Sequence, residues 1–548
     1  MPHIEIDKRE FDELIGEKIS EDRLREEAAF LGAHSWQKEG DHKWDVETYP
    51  DRPDFLSVEG LARAYRGFFG IETGREEYNV EKGGVKLEVD DSVADVRPYI
   101  GCAVVRDLEL TRKKINGLIQ LQEKMHETMG RKRDKLAIGL HDLSTVEPPF
   151  TYRAVEPEKV SFTPLEYDRD MQLGEILDEH EKGQKYAWIL EDEDRYPVIE
   201  DVDSRVLSFP PIINNQLTEV DSGTSDIFID VTGKDRETVM KCLNILSTAL
   251  AERGGRIESV EVNGEEMPDL SPEKWILDPD YVREVSGLEI SDEEIIKNLE
   301  EMKYGAEKKK GSIKVDVPSY RTDIMHEFDL IEDVVIAYRY SEIEPEMPEV
   351  DQAGGEHPKE EYTDVLRDIL AGTGALEAHT YILSNREDLF DRMEMERNEI
   401  VEMSNPLTEE HSVARNWLIP GLMKALEENK HHSYPQEFFE VEDIAVLDDS
   451  STGSSNRRKL AYVASGSDKD FTDVREVLQI IERDTGRIFE VEKVQKSFFK
   501  DKRSGEILMQ GEKIGVIGEF SEKVQENWDI EYPVAGLEID VEKMKDIE

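Results

Sequence analysis

Val317-Pro-Ser-Tyr-Arg-Thr-Asp-Ile-Met-His-Glu-Phe-Asp-Leu-Ile-Glu-Asp-Val-Val-Ile-Ala-Tyr-Arg-Tyr340 changes period part-way along. Just before and into it, Ile313, Val315 and Val317 alternate with polar residues, the period of a strand. Pro318 stops that strand. A turn carries Asp323. Then Leu330, Val334 and Tyr338 recur at i, i+4, i+8, with Ile331 and Val335 beside them, the period of a helix that buries one stripe. Asp329, Glu332 and Asp333 stand at i, i+3, i+4 and are expected on the opposite face. Asp323 lies close enough to swing toward them. Four gathered carboxylates repel one another unless something offsets them, and hard oxygen donors suit magnesium or calcium. The same spacing also describes a solvated acidic helix start favoured by the helix dipole. Spacing alone leaves both readings open.

Around this stretch, residues 269–345 read as one compact unit. Ser271-Pro opens it and Gly287 breaks its first helix. Ser291-Asp-Glu-Glu294 is a capping box for a second helix bearing Ile295, Ile296, Leu299 and Met302. Lys308-Lys-Lys-Gly311 marks a hairpin tip. Helices, hairpin, strand, helix is a winged-helix-like order, found in many DNA-binding folds. Three lysines at a tip serve equally as a solvated turn.

Upstream, residues 1–90 open with a strand at His3–Ile6. Helical residues follow, with Val58, Leu61, Ala62, Tyr65, Phe68 and Phe69 on one stripe. Arg52, between Asp51 and Asp54, reads first as a local ion pair. Residues 91–268 read as mixed α/β, with a strand near Ile100–Val105, a helix at Ile115–Met129 and a strand at Leu136–Leu140. His141-Asp142 after that strand is weak evidence for acid–base chemistry. In Val206-Leu-Ser-Phe-Pro-Pro-Ile-Ile-Asn-Asn215 two prolines forbid regular structure and display Asn214 and Asn215 from a rigid turn. Ile227–Thr232 alternates like a strand and puts Asp230 and Thr232 on one face. Polar groups converging from a strand and a rigid loop can build a small pocket; a satisfied pair at a strand edge fits the pattern equally. Downstream, residues 346–355 have linker composition. Residues 346–548 then carry strand-like runs with few helices, as in an antiparallel sheet; His379–Leu383 is among those runs.

The chain has 548 residues, room for roughly three to five domains. Its net charge is −57, from 126 acidic and 69 basic residues. That excess argues against a general nucleic-acid binder and suggests a surface adapted to high salt, as in halophilic proteins. Contact with RNA would have to be local or lean on another subunit. Two cysteines, Cys102 and Cys242, supply neither a disulfide framework nor a Cys-rich zinc site. No apolar run approaches the roughly 18 residues of a membrane span, and no signal peptide is visible, so a cytoplasmic location is expected. Walker-type, dinucleotide-binding and His-Glu-x-x-His motifs are missing.

Several of these stretches, in order, resemble the phenylalanine–tRNA ligase β-subunit family in its archaeal/eukaryotic form, a class II aminoacyl-tRNA synthetase family. They are Pro50-Asp-Arg-Pro-Asp-Phe-Leu-Ser-Val-Glu-Gly-Leu-Ala-Arg-Ala, His141-Asp-Leu with Pro148-Pro-Phe-Thr-Tyr, Phe209-Pro-Pro-Ile-Ile-Asn, and the opening stretch. Ser404-Asn-Pro-Leu-Thr-Glu-Glu, Arg415–Leu422 and Phe438-Phe-Glu-Val continue the match. The resemblance implies an α+β multidomain fold: an N-terminal α/β domain (1–90), an editing domain of the B3/B4 type (91–268), a winged-helix-like B5-type domain (269–345) and a class II synthetase-like antiparallel domain (346–548). The last lacks catalytic motifs: the arginine-bearing glycine-rich motif for ATP is missing from Gly505–Phe520, and Ser521-Glu522 stand where the family has His-Pro.

The resemblance further implies an (αβ)2 heterotetramer that charges tRNA-Phe with phenylalanine. The α subunit makes phenylalanyl-adenylate from ATP, and the middle domain hydrolyses tyrosine wrongly attached to tRNA-Phe. Asp230 matches the family's acidic position for hydroxyl recognition; Asn214, Asn215 and Thr232 join it by proximity in pattern. Asp323, Asp329, Glu332 and Asp333 match the family's magnesium ligands, with a structural role. Neither a membrane nor DNA is expected as a partner. A free-standing editing hydrolase is the alternative.

Overall fold

The computed structural model describes residues 2–38, 40 and 42–544. The chain forms two compact units, Met1–Glu346 and Met347–Glu548. No helix among the described residues is long and apolar enough to cross a membrane.

In the first unit one core runs from Ile4 to Ala337. A three-stranded sheet in the order His3–Asp7, Lys43–Thr48, Ala33–Lys38 opens it. The helix Val58–Phe68 buries Leu61, Ala62, Tyr65 and Phe68, as its period requires. The Ser57 hydroxyl caps it, accepting from the Gly60 amide at 3.1 Å.

A ten-stranded sheet follows. Its main path runs Ile213–Asn214, Val206–Phe209, Tyr196–Glu200, Phe150–Val155, Val80–Val89, Arg256–Val262, Tyr99–Arg106, Ile227–Gly233, Leu136–Asp142. All neighbours on it are antiparallel except Val80–Val89, which runs parallel to both its partners. Twist accumulated over so many strands curls a sheet. Here it brings the two ends of the path face to face, and Asn214 Nδ2 donates to the Leu140 carbonyl at 3.4 Å across the gap. The helix Arg112–Glu127 lies along that gap.

The rest of this unit has the expected order: helices Pro279–Ser286 and Asp292–Glu301, the hairpin Gly305–Lys309/Ser312–Val317, and the helix Glu327–Tyr338. A further strand, Glu273–Leu277, pairs with Ser312–Val317. The capping box forms: the Glu294 amide donates to Ser291 Oγ at 3.2 Å, and the Ser291 amide to Glu294 Oε2 at 2.8 Å.

The second unit is a seven-stranded sheet, antiparallel except where Leu376–Glu377 joins Gln436–Leu447 in parallel. Helices Pro358–Ala371 and Phe471–Thr485 pack into one core, and Ile419–Glu428 into another. The strand expected at His379–Leu383 does not form; only Leu383–Ser384 is extended and paired. The segment bonds instead to the side chain of buried Glu440, on the sheet strand Gln436–Leu447, so Thr380 makes no backbone ladder there. Glu440 accepts from the Thr380 amide at 3.1 Å and hydroxyl at 2.7 Å, and Arg415 holds it at 2.7 Å.

Candidate functional site

The gap in the curled sheet is a cavity of about 530 Å³. One wall is Ala137, Ile138, Gly139 and Leu140; the facing wall is Ser208 to Asn214. Ile115, Leu118, Ile119 and Gln122 of the flanking helix close one side, and Asp230 forms part of the lining.

Asp230 comes from the strand Ile227–Gly233, opposite Gly139 in register, with His141 two residues further along the partner strand. Side chains two apart on a strand share a face. Asp230 is 1% exposed, and its Oδ2 lies 2.8 Å from His141 Nε2. His141 Nδ1 lies 2.8 Å from Thr218 Oγ1, and that hydroxyl is 3.2 Å from the Asn215 carbonyl. Asp230 is therefore backed by a buried imidazole–hydroxyl chain. His141 pairs with Asp230 and not with its neighbour Asp142, which receives hydrogen bonds from Ser144 and Thr224. Ser208 Oγ is buried, belongs to a lining residue, and has no hydrogen-bond partner among the described residues. Such a group in a cavity wall is an unused handle for a ligand.

The expected pocket residues divide. Asp230 and Asn214 line the cavity. Asn215 does not; its side chain accepts from the Leu217 amide at 3.0 Å and donates to the Val206 carbonyl, fixing the turn. Thr232 does not either, since Arg97 Nε donates to its hydroxyl at 3.0 Å. Ser208 and His141 are the residues that sequence pattern did not single out for the pocket. An unpartnered hydroxyl is a tertiary fact with no local signal, whereas His141, on the face Asp230 shares across the ladder, was within reach of a register argument.

At the second expected site only Asp323 and Asp333 come together, and they do so around an arginine. Arg321 Nε donates to Asp323 Oδ1 at 2.9 Å and its Nη2 to Asp323 Oδ2 at 2.6 Å and Asp333 Oδ2 at 2.7 Å. The Tyr304 hydroxyl also donates to Asp333. Against its burial, Arg321 holds the Asp323 carboxyl down at about 2. Asp329 accepts from the amides of Met325 and His326 at 2.7 and 2.8 Å as a helix cap. Asp333 is 6% exposed and thus belongs to the buried stripe, not to the opposite face. On a 100° wheel it sits beside Leu330 and Ala337. Glu332 is exposed, and its carboxyl is raised by partial burial, then by Asp333, Asp329, Asp51 and Asp323. Among the described residues no group of three or more His, Cys, Asp or Glu is arranged to hold a metal. The donors fit a hard cation in kind but not in arrangement. Arg52, as expected, pairs with Asp54, at 2.8 Å.

Comparison with known proteins adds an independent line. A family model described as the phenylalanyl tRNA synthetase beta chain CLM domain matches residues 343–541, and one for the tRNA synthetase B5 domain matches residues 276–340. The phenylalanine–tRNA ligase beta subunit of Pyrococcus horikoshii is 40% identical, with 98% of this chain and 99% of that one covered. Its counterpart from Archaeoglobus fulgidus is 41% identical, with 99% and 98% covered. A crystal structure of an N-terminal fragment of the phenylalanyl-tRNA synthetase beta-subunit from Pyrococcus horikoshii is 40% identical. It aligns with a TM-score of 0.59 over 62% of this chain and 100% of the fragment. The chain therefore belongs to the phenylalanine–tRNA ligase beta-subunit family.

Proposed function

We propose that this chain works with an α subunit, in an (αβ)2 assembly, to charge tRNA-Phe using ATP, and that its own chemistry is proofreading in the Asp230 cavity. A phenylalanine pocket rejects tyrosine poorly, because tyrosine merely adds a hydroxyl. A second site that hydrogen-bonds the hydroxyl reverses the preference, since phenylalanine leaves the buried partner unpaired. The observation that carries the reading is Asp230, buried, backed by His141 and reached through the cavity. Water attacks the ester carbonyl; the acyl–oxygen bond breaks, releasing tyrosine and the RNA 3′-terminal hydroxyl. Ser208 and Asn214 both line the cavity, which supports a role for them in holding the amino acid.

Magnesium is the remaining part of the proposal, held by Asp323, Asp329, Glu332 and Asp333. The like charge around Glu332 supports a cation there, and Asp323 and Asp333 would have to leave Arg321. The proposed domain boundaries are 1–90, 91–268, 269–345 and 346–548.

The test is co-purification with an α subunit, then phenylalanine charging and hydrolysis of pre-formed tyrosyl-tRNA. Asp230→Ala is expected to slow hydrolysis at least about 10-fold, one lost charge-assisted hydrogen bond, and to leave charging near wild type. Lost charging with intact hydrolysis overturns the assignment. The cavity lies wholly within the first unit, which favours one second reading, a hydrolase acting alone. A chain that stays monomeric beside α and still hydrolyses tyrosyl-tRNA establishes that reading.

A further inference from the structure

We infer that one side of the cavity mouth is a landing surface for the phosphodiester backbone of a single-stranded RNA end, built from Arg131, Lys132, Lys182 and Lys185. The identity of the polyanion rests on the proposed hydrolysis; the surface itself rests on charge and geometry.

The chain as a whole is strongly acidic, yet residues 111–135 carry eight Lys or Arg against three Asp or Glu. This segment is the helix flanking the cavity and the turn that follows it. In that turn Arg131, Lys132 and Arg133 all have positive φ, 46°, 58° and 71°. Each such residue costs on the order of 1 kcal/mol, so the surroundings must impose the shape. They do: the Gly130 amide donates to Met125 O at 2.8 Å, the Arg133 amide to His126 O at 3.1 Å, and the Lys135 amide to Gly130 O at 2.9 Å.

The left-handed turn separates its three cations. Arg133 points inward, donating to Ile212 O at 2.8 Å and Glu123 at 2.7 Å, and lies 4.6 Å from the Tyr186 ring. Arg131 and Lys132 stay exposed, with no ion pair or side-chain hydrogen bond among the described residues. Lys182 lines the cavity, equally unpaired, and Lys185 lies 5.2 Å from the Tyr186 ring. With 126 acidic residues for 69 basic ones, a group of cations without acidic partners runs against the chain's own composition. Two residues past Tyr186, Trp188 is 51% exposed, a flat surface on which a base can stack. Glu166 and Glu219 line the cavity as well. They repel a polyanion from their part of the rim and direct it to the basic side. Glu123, which also feels Lys182, is already paired with Arg133.

The experiment uses the full chain and a fluorescent RNA hairpin with a short single-stranded 3′ end, beside the same hairpin blunt-ended. Binding is read across about 0.05 to 0.2 M KCl. Arg131→Gln/Lys132→Gln/Lys185→Gln is expected to weaken binding about 10-fold and to lower the log–log salt slope by about 2 to 3, roughly one for each phosphate that is no longer neutralised. Lys185→Glu alone is expected to act in the same direction. Trp188→Ala is expected to weaken only the RNA with the single-stranded end. In parallel, KM for tyrosyl-tRNA rises in the triple variant while kcat holds. A triple variant that binds with wild-type affinity and slope overturns the surface, whatever hydrolysis does. If the wild type hydrolyses nothing but the triple variant still loses RNA, the surface stands and the proofreading reading falls.

Discussion

At Asp230 the carboxylate has room only because its ladder partner has no side chain. A Cβ at Gly139 would lie 2.0 Å from Asp230 Oδ2 and 2.6 Å from His141 Nε2. Gly139→Ala therefore has to turn the carboxylate or the imidazole out of place. We expect tyrosyl-tRNA hydrolysis to fall at least about 10-fold, as misplacement near a reacting group does, with phenylalanine charging unchanged; unchanged hydrolysis removes Asp230 from the chemistry. A second prediction concerns His126, which is buried and accepts from the Ile138 amide at 2.8 Å, so the helix and the cavity-lining strand meet through a neutral imidazole. Burial lowers its pKa to about 4, although Glu123 opposes this. A depressed histidine stabilises the fold fully above its unfolded pKa near 6.5, and that contribution is lost as pH falls toward 4. The shift corresponds to about 3 kcal/mol. Denaturant midpoints at pH 7 and pH 4.5 are expected to differ less for His126→Gln than for wild type. Asp230 was legible because strand alternation assigns a face. The same alternation also assigned Thr232, yet one ladder step further along that side chain belongs to Arg97.

The helix Glu327–Tyr338 shows how an element can be read in period and misread in partner. Its apolar repeat gave the buried stripe, and Leu330, Ile331 and Val334 are buried as the repeat requires. What the repeat left out is Arg321, two residues before Asp323 and outside the helix, whose guanidinium reaches Asp323 and Asp333. An arginine in the approach turn carries no periodic signal, so the acidic residues looked unpaired. Arg321→Met would leave buried Asp333 and partly buried Asp323 without the cation that pairs with both, a loss of about 3 kcal/mol. Urea midpoints measure it. Adding magnesium then separates two accounts of the cluster. Recovery toward wild-type stability supports the cation proposal. A midpoint that does not move with magnesium leaves Arg321 as the cluster's counter-charge.

Over the whole chain, the same charge excess that was plain from composition acts on stability and on RNA binding in opposite senses. The net charge of −57 repels itself at long range, and added salt relieves that cost. Most ion pairs among the described residues have at least one exposed partner, such as Arg169–Glu179 or Lys86–Glu261, and contribute little individually. The repulsion therefore outweighs them. Raising KCl from about 0.1 to about 1 M shortens the screening length from about 10 to about 3 Å. The expected outcome is a higher melting temperature at 1 M KCl than at 0.1 M, and a larger rise than for a near-neutral protein of the same size. A falling melting temperature would show that the surface pairs, not the excess acids, set the balance. RNA held by a few cations at the cavity mouth weakens over that same range, because counterion release loses its drive. Stability and RNA affinity should thus cross, with tyrosyl-tRNA hydrolysis highest at an intermediate salt concentration. Arg131→Gln/Lys132→Gln/Lys185→Gln is expected to flatten the high-salt side of that profile while leaving the melting curve's salt dependence in place.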